Sequence, residues 1–65
     1  MKYYIITYKL AKQLGCIGHR FGSKEEGYLV NSADLNIDTV ANNPDEIKEV
    51  SWEEARIFIY KYKKL

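Results

Sequence analysis

The only cysteine and the only histidine of this chain are the residues best suited to metal binding or nucleophilic catalysis. Cys16 and His19 lie three positions apart, so a thiolate and an imidazole could share one metal ion or act as nucleophile and base. A closed zinc site needs four ligands, however, and the others would have to be carboxylates or come from a second chain. The pair also lies in a glycine-rich segment with nothing to hold the two side chains in register.

Because this pair is too incomplete for a metal site and too poorly held for catalysis, we expect neither activity. We predict no catalytic residue, no metal site and no cofactor. A single cysteine excludes an intrachain disulfide, and a free thiol is typical of a reducing compartment, so we expect a cytoplasmic protein. The apolar run Tyr3–Ile6 is too short for a signal peptide, and no apolar stretch approaches the length of a membrane span, so we expect no membrane partner.

A second pattern of oxygen-bearing side chains resembles the start of a calcium-binding loop. Asp34, Asn36 and Asp38 occupy alternate positions, as the first ligands of such a loop do, but Leu35 and Ile37 would be exposed between them. The sixth position, which needs glycine for a sharp turn, is Thr39, and the twelfth, normally a bidentate glutamate, is Asp45. The incomplete match favours a solvated polar segment.

The carboxylates are also poorly arranged for acid–base catalysis. They occur as sequence neighbours, which point in different directions on a helix or a strand rather than toward one shared site. The pairs are Glu25 and Glu26, Asp45 and Glu46, and Glu53 and Glu54. A chain of 65 residues also has little room for a substrate pocket of several hundred Å³, so we predict that it is not an enzyme.

Tyrosines interleaved with lysines suggest a nucleic-acid contact, because bases stack on aromatic rings while cations neutralise phosphates. The tyrosines fit equally well as strand residues, and no RNA-binding sequence motif accompanies them. The G-x-x-G at 15–18 resembles a backbone-clamping loop, but its interior is uncharged. The candidate nucleic-acid contacts are Lys2, Tyr3, Lys9, Lys12, Arg20 and Phe21.

Two large apolar residues suggest a contact with another protein. On a helical wheel of the C-terminal segment, Ile57 and Tyr60 lie away from the apolar stripe, among charged residues. Isolated apolar residues are ordinary on surfaces, but a pair spaced to make one contact spot is a hint of a partner. The leading hypothesis is a small intracellular binding or accessory protein acting through protein–protein contact or self-association. The alternative is a weak nucleic-acid-binding protein.

The charge is unevenly distributed along the chain, although the net charge is only +1. Residues 1–24 carry five cations and no acid, residues 25–54 carry all nine acids and one lysine, and residues 55–65 carry four cations. The basic ends and the acidic middle can form two oppositely charged surfaces, or they can interleave in the fold. Both outcomes remain open from the sequence.

Periodicity predicts the elements that must position these residues in one small α+β domain spanning residues 1–65. Alternation of aromatic and β-branched residues predicts a strand at about 2–10, and shorter strands are expected at 28–31 and 46–50. Four glycines punctuate the intervening chain, which predicts a mobile loop at 11–26. The fold class is therefore a small antiparallel sheet of two to three strands.

Two helices complete the predicted domain. Ser51 and Glu54 form a capping box, and an apolar stripe containing Trp52, Ala55 and Phe58 predicts a core-facing helix over 52–64. Ser32 as an N-cap favours a short helix at 33–42, although that segment also alternates and can be read as extended.

Overall fold

The chain folds as an α+β domain built on one antiparallel sheet. The computed structural model describes residues 2–15 and 21–63. The elements in chain order are β1 (Tyr3–Ile6), α1 (Tyr8–Leu14), β2 (Gly22–Ser23), β3 (Gly27–Asn31), α2 (Ile37–Asn42), β4 (Ile47–Val50) and α3 (Trp52–Tyr62). The described residues form four strands in the order β2-β3-β1-β4, so the fold class is confirmed and the expected two to three strands become four.

Helices cover both faces of the sheet. The alternating side chains of β1 divide between the two faces, as the pleat requires. One face packs against α1 and the segment before α2; its buried residues are Tyr4, Ile6, Leu10, Ala11, Tyr28, Val30 and Leu35. The other face packs against α3; its buried residues are Leu29, Val50 and Ala55, with Tyr3, Ile5, Phe58 and Ile59 packed partly buried around them. The domain therefore has three layers, with the sheet in the middle.

The first strand is shorter than predicted because Thr7 begins a helix. Its backbone is extended and its hydroxyl accepts a hydrogen bond from the Leu10 N–H at 3.2 Å, which is the geometry of an N-cap. The prediction of a strand to residue 10 was therefore wrong beyond Ile6. Leu10 and Ala11 are buried as residues of α1 and not of a strand, and Gly15 ends that helix in the left-handed conformation.

The segment predicted as a mobile loop at 11–26 contains regular structure at both ends. It begins in α1, and Gly22–Ser23 of β2 pair with Tyr28 and Gly27 of β3. Residues 16–20, which include Cys16, His19, Arg20 and most of the G-x-x-G, lie outside the described residues. The mobility of this segment stays a prediction.

The structure decides between the helical and extended interpretations of residues 33–42. A helix forms, but it begins after Asn36, whose side chain accepts from the Thr39 N–H at 2.7 Å. The proposed cap Ser32 lies earlier, in a turn organised by Asn31, whose side chain accepts from the backbone N–H groups of Ala33 and Asp34. No helix in the described parts of the chain is long and apolar enough to cross a membrane.

The C-terminal helix agrees closely with the sequence. The Ser51 hydroxyl accepts from the Glu54 N–H at 3.2 Å, so the predicted cap forms, and α3 runs from Trp52 to Tyr62. Trp52 departs from the predicted core stripe. It is 54% exposed and packs its ring against Tyr3, with 5.3 Å between the ring centroids.

Candidate interaction surface

The outer side of α3 is determined by the residues that face the sheet. Ala55 is buried, and Phe58, Ile59 and Tyr62 are half-buried on the same side of the helix. At 100° per residue, the side directly opposite carries Glu53, Ile57 and Tyr60. Ile57 is 64% exposed and Tyr60 is 72% exposed. These three residues are named the α3 outer face.

An open groove of about 410 Å³ runs beside one flank of the α3 outer face. It lies between the helix and the sheet; its lining residues are Ile5, Glu26, Glu54, Ile57, Phe58 and Lys61. Ile57 thus belongs both to the outer face and to the groove wall. The apolar surface there is therefore larger than the two side chains singled out from the sequence.

The C-terminal end of α3 is fastened to the β2–β3 hairpin through one carboxylate. The Lys61 ammonium lies 2.5 Å from a Glu26 carboxylate oxygen, and the Tyr62 hydroxyl donates to the other oxygen. The hydroxyl of Tyr62 also lies 3.2 Å from that of Ser23 in β2. These contacts fix the direction of the helix, and with it the direction in which Ile57 and Tyr60 point.

This cluster shifts the titration of both charged groups. The hydrogen bond from Lys61, assisted by the one from Tyr62, holds the pKa of the Glu26 carboxyl below its ordinary 4.5. The same hydrogen bond raises the pKa of the Lys61 ammonium above its ordinary 10.5. The cluster therefore stabilises the fold most between these two values, where both groups are charged.

Glu26→Gln is expected to make the thermal midpoint less dependent on pH in acid. Because the folded pKa of Glu26 is lowered, its stabilising contribution is fully present above 4.5 and is lost as the pH falls through the folded value. The difference in melting temperature between wild type and variant should shrink as the pH is lowered from about 6 to about 3. Glu25→Gln, which alters the adjacent carboxylate outside this cluster, is the control. A difference that stays constant with pH would contradict the prediction.

The described candidates for nucleic-acid contact do not form one patch. Tyr3 and Phe21 line a shallow cavity on the α3 side of the sheet. Lys9 and Lys12 are exposed on α1, which packs on the opposite side of the sheet. The Lys2 ammonium lies 3.9 Å from a Glu49 carboxylate oxygen, which offsets its charge. Arg20 lies outside the described residues.

Two ion pairs among the described residues show that the oppositely charged segments of the sequence meet in the fold. Lys2–Glu49 and Lys61–Glu26 each join a basic end of the chain to its acidic middle. At these two places the opposite charges interleave instead of separating into two surfaces. This reduces the positive potential available for a phosphate backbone.

The possible calcium ligands have structural roles in part. Asn36 caps α2 with the oxygen that would otherwise bind the cation, and the backbone N–H of Asp34 donates to Asn31 in the turn before that helix. Among residues 2–15 and 21–63, no three side chains of the His, Cys, Asp and Glu types are grouped for a metal ion. Cys16 and His19 are outside those ranges.

Two features of the surface had no clear signal in the sequence. Ile5 and Phe58 line the groove because α3 packs on the sheet, and a helical wheel gives only angles around one helix. Ile37, at the start of α2, is 82% exposed and lies on the far side of the sheet from α3. It lines a separate cavity with Tyr4, Leu35 and Val40, and it provides an exposed isoleucine against which the α3 outer face can be compared.

The fold and the surface define a class, a small three-layer α+β domain with an exposed apolar spot on its last helix. Compared with protein-family models, curated proteins and solved structures, the chain matches none of them. The function is therefore argued from the surface itself.

Proposed function

We propose that this chain is a small binding protein that acts through protein–protein contact at the α3 outer face. The observation that carries the proposal is the exposure of Ile57 and Tyr60, at 64% and 72%, on a helix whose core-facing side is already supplied by other residues. The core of the domain does not need these two side chains. Contiguous apolar surface of this kind marks interaction sites on soluble proteins.

The composition of the surface favours a protein partner over a nucleic acid. Tyrosine is enriched at protein interfaces because it presents a large rigid ring with one polar group at its tip. Glu53 lies at the N-terminal end of the α3 outer face, where its carboxylate would repel phosphates. The exposed lysines of α1 lie on the other side of the sheet.

The groove beside the helix supports the same proposal. It continues the apolar surface of Ile57 toward Phe58 and Ile5, and it is bordered by the charged groups Glu54 and Lys61. An apolar centre with a charged rim is the usual anatomy of a protein interface. The charged rim can orient the partner as it approaches, while burial of the apolar centre supplies most of the binding free energy.

The test is affinity capture from the native host with three versions of the tagged full chain. The contact variant combines Ile57→Lys with Tyr60→Glu, and the matched control is Ile37→Lys, which places the same charge at an exposed isoleucine on the opposite side of the sheet. We expect a protein that wild type and control retain at moderate salt and that the contact variant loses. A second, untagged copy of this chain counts as such a protein. Identical retention by all three versions would overturn the proposal.

A further inference from the structure

We infer that the protein that covers the α3 outer face is a second copy of this chain, with the two α3 helices packed antiparallel about a two-fold axis. The inference rests on the proposed function and names the partner for the same surface. It follows from the spacing of the apolar residues and from the order of charges along α3. Glu53 and Glu54 lie in the first turn, and Lys61 lies in the last.

The outer-face residues of two antiparallel copies interleave along the helix axis. Each residue advances an α-helix by about 1.5 Å. With the two-fold axis midway between positions 57 and 58, the two Ile57 side chains lie about 1.5 Å apart along the axis and pack against each other. Tyr60 of each copy then lies about 3 Å along the axis from Glu53 of the other, so the hydroxyl can donate to the carboxylate.

The charges on one flank are complementary in this arrangement. A two-fold axis perpendicular to two antiparallel helices brings the same flank of both copies together. Glu54 and Lys61 lie on the flank that borders the groove, and Glu54 of one copy falls at the height of Lys61 of the other. Two reciprocal ion pairs follow. A parallel pair related by a two-fold axis would instead bring opposite flanks together, and it would leave Glu54 of one copy about 10 Å along the axis from Lys61 of the other.

The flank of α3 opposite Glu54 and Lys61 carries Arg56, and it limits how closely the two helices approach on that side. It brings the two Arg56 guanidinium groups within about 5 Å of each other along the axis, and their repulsion opens that side. Arg56 of one copy also falls near Tyr60 of the other, where a guanidinium can stack on the ring. The helices therefore approach most closely on the flank of Glu54 and Lys61.

The size of the surface predicts a weak dimer. Stable dimers bury roughly 800 Å² on each partner, and the outer face of one helix of 11 residues, about 16 Å long, offers less. The dissociation constant should therefore lie at about 0.1–1 mM. Such self-association appears only at high protein concentration or where another contact brings two copies together.

The test combines sedimentation equilibrium, from about 10 µM to about 1 mM, with amide chemical-shift changes on dilution. Wild type and the control Ile37→Lys should both show reversible dimerisation with shifts centred on α3. Ile57→Lys should reduce association below detection. Glu26→Gln, which removes the charged intrachain partner of Lys61 and changes no residue of α3, should still dimerise.

A charge-reversal pair separates self-pairing from other contacts. One variant is Glu54→Lys, and the other is Lys61→Glu combined with Glu26→Gln, which avoids a new repulsion inside the chain. Each variant alone should associate about tenfold more weakly than wild type, because both ion pairs become repulsive. Mixing the two should restore association, since each basic flank then meets an acidic one.

Two outcomes would overturn the inference. One is a wild type that stays monomeric to about 1 mM. The other is a mixture of the two variants that associates no better than each does alone, with both variants folded by circular dichroism. Either result leaves the proposed function testable, because capture of another protein that depends on Ile57 and Tyr60 would still support it.

Discussion

Ile6→Ala is expected to leave most of the protein unfolded at 25 °C. Ile6 is fully buried, with 0% exposure, in the strand that pairs with both β3 and β4. Truncating a buried isoleucine to alanine costs about 2–5 kcal/mol, because contacts are lost and a cavity remains. A domain of this length holds roughly 3–5 kcal/mol of net stability, so the loss is comparable to the whole. Urea unfolding followed by circular dichroism measures it.

The matched control is Ile37→Ala, which makes the same truncation at a side chain that is 82% exposed. Because the Ile37 side chain is exposed in the folded protein, its truncation removes few packing contacts. Alanine also has a higher helix propensity than isoleucine at the first residue of α2. The control should therefore unfold within about 0.5 kcal/mol of wild type. If Ile6→Ala unfolded at the same urea concentration as the control, the sheet would not be centred on β1 as described.

Local signals predicted α3 well because they act within the helix. The predicted cap concerns atoms only three residues apart, and its hydrogen bond from the Glu54 N–H to the Ser51 hydroxyl forms as expected. The apolar period also identified the side that faces the sheet, including Ala55 and Phe58. The exposure of Ile57 and Tyr60 follows from the same wheel, so this candidate site was visible in the sequence.

The boundary between β1 and α1 could not be read in this way. Tyr8 and Leu10 continue the alternation of the strand, yet Leu10 and Ala11 also fit one side of a short helix. Whether the strand continues or a helix starts depends on Thr7, whose hydroxyl caps the helix, and on the burial of Leu10 between α1 and the sheet. Threonine is also a favoured strand residue, so its type alone does not mark the helix start.

Two further features depend on contacts between distant segments. Strand β2 consists of only Gly22 and Ser23, which are not strand-forming residues, and it exists because β3 pairs with it. The groove beside α3 likewise depends on the crossing of helix and sheet. The consecutive buried residues Tyr28, Leu29 and Val30, however, are typical of a strand covered on both faces, and this signal could have predicted the three layers.

Gly27→Ala is the second substitution expected to remove most of the stability. Gly27 begins β3 with φ at +90°, a conformation that side chains rarely adopt. An added Cβ would lie 2.4 Å from the carbonyl oxygen of Ile6 and 3.1 Å from the side chain of Ile5, so β3 would have to move away from β1. Backbone strain of about 1–3 kcal/mol is then added to overpacking of about 1–3 kcal/mol. Thermal melting followed by circular dichroism should show a largely unfolded chain at 25 °C.

Gly15→Ala separates the effect of strain from the effect of the clash. Gly15 also has a positive φ, +71° at the end of α1, but a Cβ there would meet nothing within 4 Å. We expect a cost of about 1–2 kcal/mol from the left-handed backbone alone, with the fold retained. The difference between the two variants measures how tightly β3 is held against β1. Equal destabilisation would mean that the β1–β3 pair yields to an added methyl group, and that these two central strands are not the rigid part of the domain.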